Sequence, residues 1–145
     1  MQIKPYRLQL RTGADISLHD ITPQIRSCLA ESGIQNGFVT VTSQHTTTAL
    51  AINEHEPRLV EDVKTFLRRL TPPHDTYLHN DIHLRECPPD EPRNAHSHLA
   101  AMLLGSSEVI AVQAGALLLG QYQSVMLYEL DGPRDRCVSV QVYGE

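Results

Sequence analysis

The feature that most restricts the fold is the run Gly37-Phe-Val-Thr-Val-Thr42, which passes directly into the polar block Ser43-Gln-His-Thr-Thr-Thr48. β-Branched and aromatic side chains suit a pleated, half-buried surface, so the run is a strand whose end carries a histidine and hydroxyls to the rim of a sheet. Ala49 to Ile52 resumes as another strand and leads to Asn53 and Glu54. Twelve residues, Ser43 to Glu54, thus hold an imidazole, a carboxylate, two amides and four hydroxyls, more chemistry than packing requires.

The other segments follow from periodicity. Tyr6, Leu8 and Leu10 alternate with Arg7, Gln9 and Arg11 ahead of Thr-Gly-Ala-Asp, a strand running into a turn. Thr22 and Pro23 read as N-cap and first helical position, Ile25, Cys28 and Leu29 share a face, and Ser32-Gly33 is a stop, which predicts a helix over 23–32. Pro57 opens a second helix whose Leu59, Val60, Val63, Phe66, Leu67 and Leu70 fall at three- and four-residue steps; Pro72-Pro73 ends it. Ala95 to Leu104, closed by Gly105, predicts a third, with Leu99, Met102 and Leu103 as its buried face. Val109–Gln113 with Ala116–Leu119 reads as a hairpin, and Ser124–Leu130 with Cys137–Tyr143, joined through Asp131-Gly132-Pro133-Arg134, as a second. This order does not alternate as a parallel α/β fold would, so the expectation is one α+β domain over 1–145 with a largely antiparallel sheet. At 145 residues such a chain buries roughly two-thirds of its unfolded surface.

Composition removes several functions. A net charge of -5 and no basic stripe argue against nucleic acid as a partner. Two Phe and no Trp leave few of the large anchors that dominate protein-recognition surfaces. Cys28, Cys87 and Cys137 are an odd number without Cys-x-x-Cys spacing, which argues for a reducing compartment rather than a disulfide framework. The N-terminus has no apolar signal core, and Val109–Gly120 is too short and too interrupted to span a bilayer, so the expected location is the cytoplasm, away from membranes.

Seven of the eight histidines lie between positions 45 and 98, along with the aperiodic stretch 71–94. Neutral imidazole is the commonest metal ligand near physiological pH, yet no spacing here matches a metal motif of known mechanics, so a polar loop of solvated histidines stands beside the metal reading. Glu54 is either a general base, a ligand, a group that orients a ligand, or the cap of the following helix, a use open to Glu56 as well. Ser43, Thr46, Thr47 and Thr48 at a strand end either cradle an anion or reflect β-propensity alone, with Arg93 the best-placed positive partner.

Taken together, Gln44-His45-Thr46-Thr47, Ile52-Asn53-Glu54, Asp62, Tyr77-Leu78-His79, Ala95-His96-Ser97-His98, Leu103-Leu104-Gly105-Ser106-Ser107, Leu119-Gly120-Gln121-Tyr122-Gln123 and Glu129-Leu130-Asp131-Gly132-Pro133-Arg134 resemble the YjbQ-like family, also called secondary thiamine-phosphate synthases, over nearly the whole chain. The resemblance implies an α+β domain assembled as a homotrimer, with a site near subunit boundaries where His45, His79 and His98 hold a metal ion or an anion. It also implies weak thiamine-phosphate synthase activity, joining hydroxymethylpyrimidine diphosphate to thiazole phosphate with loss of pyrophosphate. On that reading His45, His79 and His98 hold a divalent ion, zinc or magnesium. Glu54 and His45 are catalytic, and Gln44, Thr46, Thr47, Asn53 and Gln123 position a small phosphorylated substrate. The alternatives are a metal-dependent hydrolase of a small phosphorylated substrate and a trimer that binds metal or anion without turnover. Two departures stand out: Gly120-Gln-Tyr-Gln123 replaces the family's usual Gly-Thr-Trp-Gln, and the segment between Tyr77 and His98, with His83 and Arg93, is longer than in many members.

Overall fold

The computed structural model describes all residues, 1–145. Its strands are β1 (Gln2–Arg11), β2 (Asp15–Asp20), β3 (Gly37–Ser43), β4 (Thr48–Asn53), β5 (Ser107–Gln113), β6 (Ala116–Leu117), β7 (Ser124–Gly132) and β8 (Asp135–Gly144); its helices are α1 (Thr22–Ser32), α2 (Pro57–Leu70) and α3 (Ala95–Leu104). They form an α+β domain of two antiparallel sheets, one ordered β1-β8-β3-β5-β6 and the other β2-β7-β4. The alternating Val39/Val41 and Val138/Val140/Val142, with Leu50, Val125 and Leu127 from the smaller sheet and Ile25, Cys28 and Leu29 from α1, make the main core. A second core lies between the smaller sheet and the other two helices, built by Met126, Tyr128 and Leu130 with Leu67 and Ala100.

Four expectations change. Asp15–Asp20 is a strand and not the tail of a turn: Ile16 and Leu18 alternate with polar residues, and Ser17 to Asp20 pair with Glu129 to Met126. The expected hairpin of β7 and β8 does not exist as a pair. The Gly132-Pro133 link carries the chain from the smaller sheet to the larger, so β7 bonds β2 and β4 while β8 bonds β1 and β3. The third correction concerns α3, which buries Ala95, Ser97 and Ala100, leaving Met102 78 % and Leu103 62 % exposed. Small side chains let a helix approach a sheet closely, and here that approach outweighs burial of the longer ones. Thr22 likewise is no cap; its hydroxyl accepts from the Val125 N–H and ties α1 to β7. Glu56, and not Glu54, caps α2 by accepting from the Arg58 and Leu59 amides. No helix is long and apolar enough to cross a membrane. All three cysteines are free.

One polar cluster crosses the two sheets. Glu129 of β7 is fully buried and receives both Nε and Nη2 of Arg136 of β8, at 2.8 and 2.7 Å. Thr12 and the Asp131 N–H donate to the same carboxylate, and Arg136 also reaches Thr47 Oγ1 at 2.7 Å. Burial alone would raise the Glu129 carboxyl; the donors around it outweigh that effect and hold it below the usual range. Gly132 is required beside it, because a Cβ there would lie 1.9 Å from the Gly13 carbonyl oxygen. Removing one member of such a pair strands a buried charge, so Glu129→Ala should cost about 3–5 kcal/mol in urea unfolding. Glu129→Met combined with Arg136→Leu should recover much of that loss.

Candidate functional site

The residues singled out in the sequence separate into two groups at opposite ends of β4. Gln44, His45, Thr46 and Thr47 occupy the turn from β3 into β4, whereas Asn53 ends β4 and Glu54 follows it. Six residues of strand span roughly 20 Å. Gln123 precedes Ser124, the register partner of Asn53, so it belongs with the far group. Within one chain, therefore, Glu54, Asn53 and Gln123 do not share a cleft with His45. Glu54 is exposed, its N–H bonded to Asn53 Oδ1, and Gln123 Oε1 accepts from the Gly120 N–H.

The near group is built by the strand ends. Ser43 and Thr48 hydroxyls bond to each other and close the base of the turn. Thr47 is buried and engaged by Arg136, so it supports the turn and is not a free substrate contact. Gln44 and Thr46 remain exposed. The His45 ring accepts from the Cys137 N–H through Nε2 at 3.0 Å, which leaves the proton of its neutral form on Nδ1. His98, in the first turn of α3, is hydrogen-bonded to the Thr46 backbone and lies edge-on to His79, with ring centroids 4.7 Å apart and planes at 78°.

His45 and His98 line the same two clefts. One, of about 450 Å³, also takes in Gln44, Thr46, Asn94, Asp131, Arg134 and Arg136; the other, of about 490 Å³, takes in Thr48, Met102 and Ser106. Burial lowers both imidazoles below their ordinary range, reinforced at His45 by the Arg136 charge and at His98 by His79. Arg134 is half-exposed and held by Asp131, its Nε donating to the backbone oxygen and its Nη2 to Oδ2, each at 2.9 Å. Arg134, Arg136, Asn94 and Asp131 thus join the site as structural neighbours. The Glu129–Arg134 motif points to Asp131 and Arg134 in the sequence, and nothing there points to Asn94 or Arg136.

His96 and His98 face different ways. His96 lines the largest cleft, about 910 Å³, between Asp15, Arg68 and the 71–94 segment, together with His74, His83 and Arg93. That segment is ordered by two short 3₁₀ turns, Leu78–Asn80 and Ile82–Leu84. Size does not make it the chemical centre: its Arg68 is closed onto Asp15 at 2.9 Å and most of its lining is exposed.

The expected metal centre is not formed within the chain. No group of three or more His, Cys, Asp or Glu side chains is arranged to hold a metal ion. His79 adjoins His98 edge-on, while Nε2 of His45 is committed to the Cys137 amide and is not offered to an ion beside them.

The half-buried, neutral histidines set a pH dependence. Unfolded imidazoles titrate near about 6.5. Below that pH the unfolded chain takes up protons that folded His45, His98, His96 and His19 resist, so stability is complete above it and falls as the pH drops toward the folded values. Urea midpoints at pH 7.5 and 5.5 should differ in that direction, and His98→Gln should narrow the difference.

Comparison with known proteins places these features in a family. The family model described as UPF0047 protein YjbQ-like matches residues 6–145. A UPF0047 protein of Methanothermobacter thermautotrophicus is 41% identical over 145 residues, covering 100% of this chain and 95% of the relative. YugU of Bacillus subtilis is 30% identical over 138 residues, covering 94% and 97%. Among solved structures, a YbjQ-like protein of unknown function from Sulfolobus solfataricus P2 superposes with a TM-score of 0.91 at 36% identity, covering 99% of both chains. A hypothetical protein from Aeropyrum pernix K1 gives 0.89 at 37% identity, covering 98% and 99%. These relatives carry no assigned activity, and the chain forms no metal-ligand group, so the expectation of a metal-dependent thiamine-phosphate synthase is set aside, with its metal-dependent alternatives. In sequence and in fold, the chain belongs to the YjbQ-like UPF0047 family.

Proposed function

We propose that the cleft between His45 and His98 binds a small phosphorylated molecule and transfers protons on it. The observation that carries this reading is that two imidazoles, both kept neutral, line one cleft together with the Arg134 and Arg136 guanidinium groups. A neutral imidazole accepts a proton at one nitrogen and donates at the other, and a positioned acid or base of this kind contributes about 10²–10⁴-fold to a rate. Half-exposed Arg134 is the pairing group for phosphate: Asp131 takes Nε and one edge of Nη2, and the Nη1 side of the guanidinium remains to donate to the anion's oxygens. Arg136 is neutralised by Glu129 and acts on His45 through its field. Gln44 and Thr46 supply further polar contacts at the mouth of the cleft. The three free cysteines fit a reducing compartment, which supports the cytoplasm as the place of action.

The homotrimer belongs to the same proposal. The outer face of α3 exposes Met102 and Leu103 beside the His45–His98 cleft, an apolar surface suited to a second copy of the chain.

Titrating the histidine ring protons by NMR with inorganic phosphate tests the site. A bound anion favours imidazolium, so the His45 and His98 pKa values should rise with phosphate and not with chloride at equal ionic strength, and Arg134→Ala should abolish the rise. Identical titrations in the two salts would refute the reading. For the assembly, sedimentation should give a trimer that Met102→Glu with Leu103→Glu shifts toward monomer while helix content is kept. A wild-type monomer would refute it.

A further inference from the structure

Asn94 stands at the N-cap of α3 and does not cap it. An asparagine there ordinarily turns its side-chain oxygen onto the helix's free amides. The Ala95 N–H is taken by Asn80 Oδ1, from the 3₁₀ turn of the long segment, at 3.1 Å, and the Ser97 and His98 amides bond to the Asn94 backbone carbonyl. The Asn94 side chain turns elsewhere. Its Nδ2 donates to Asp131 Oδ2 at 2.7 Å, and that same oxygen receives Arg134 Nη2. An ionised carboxylate only accepts, so this contact fixes which end of the amide faces Asp131 and leaves Oδ1 pointing the other way. Oδ1 is buried and has no donor, in a residue only 8 % exposed that lines the His45–His98 cleft.

We infer that Asn94 is a specificity-determining residue, whose amide oxygen accepts a hydrogen bond from an O–H or N–H group of the ligand. The substrate class narrows accordingly to a small phosphorylated molecule carrying a hydroxyl or amino donor near its phosphate. The inference rests on the phosphate reading above, with Arg134 pairing the anion and Asn94 reading the neighbouring group. Both are held by one carboxylate, that of Asp131, so the distance between the two contacts is set by the protein and not by the ligand. The last torsion of an asparagine side chain is broad and the carboxamide turns as one plane, so a modest rotation on ligand binding carries Oδ1 toward the cleft and lengthens the Nδ2 contact with Asp131. A buried acceptor without a partner is costly, and a ligand that supplies the donor recovers that cost where an isosteric ligand without one does not.

The test is calorimetric titration of the full chain with two probes of equal size, 2-hydroxyethyl phosphate and propyl phosphate, which differ by one hydroxyl for one methyl. The wild type should bind the hydroxyl probe about tenfold more tightly or better. In Asn94→Leu the preference should vanish. Equal affinities in the wild type would overturn the role of Asn94 while leaving the phosphate reading intact, and binding of neither probe would overturn both. A preference that survives in Asn94→Leu would assign the hydroxyl to another residue and so overturn the inference.

Discussion

The structure depends on the buried Glu129–Arg136 pair. Glu129 belongs to the smaller sheet and Arg136 to the larger, so the bond joins the two layers where the chain crosses between them. Thr12, at the exit of β1, and Thr47, in the β3–β4 turn, complete the cluster, bringing four separate segments to one point. A charge in this position is tolerable only when every partner is present, so the cluster specifies a single arrangement of the strand ends. His45 hangs on that arrangement through the Cys137 amide, the residue after Arg136, and the Arg136 charge helps to keep its ring neutral.

A second framework meets the first at Asp131. Its carboxylate fixes Arg134 and Asn94, and Asn94 leads into α3, which presents His98. The packing of α3 through Ala95, Ser97 and Ala100 brings that helix close to the sheet. Ser97 donates to the Leu130 carbonyl at 2.6 Å, next to Glu129. The two imidazoles therefore reach one cleft from different elements, His45 held by the Cys137 amide and His98 by the Thr46 backbone. The long 71–94 segment contributes His79 and the Asn80 cap to this face and uses His74, His83 and Arg93 on another.

Much of this was legible in the chain. The β3 and β4 strands and the start of α2 at Pro57 follow from local pattern, whereas nothing in the pattern brings His45 and His98 together; only the family resemblance points to it, and in the fold both line common clefts. Glu54 did not join them because sequence proximity to His45 is opposite to spatial proximity when the intervening residues are an extended strand. Arg136 carries no signal in the chain for a related reason: beside Asp135 in an alternating strand it reads as a solvated charge, and only its bonds to Glu129 show that it points inward. The buried face of α3 is not legible because periodicity counts hydrophobicity and not size, and here the small residues Ala95, Ser97 and Ala100 are the buried ones.

What the sequence determined by itself is the set of elements other than β2: alternation and β-branching make strands, three- and four-residue steps with Pro and Gly at the boundaries make helices, and the absence of strict βα alternation makes the class α+β. Tertiary structure alone decided which strands share a sheet, which charges are buried together and which histidines meet. Those outcomes depend on pairing between residues far apart in the chain, such as Thr12 with Glu129 and His45 with Cys137, and the energy of such a contact exists only once both sheets are in place.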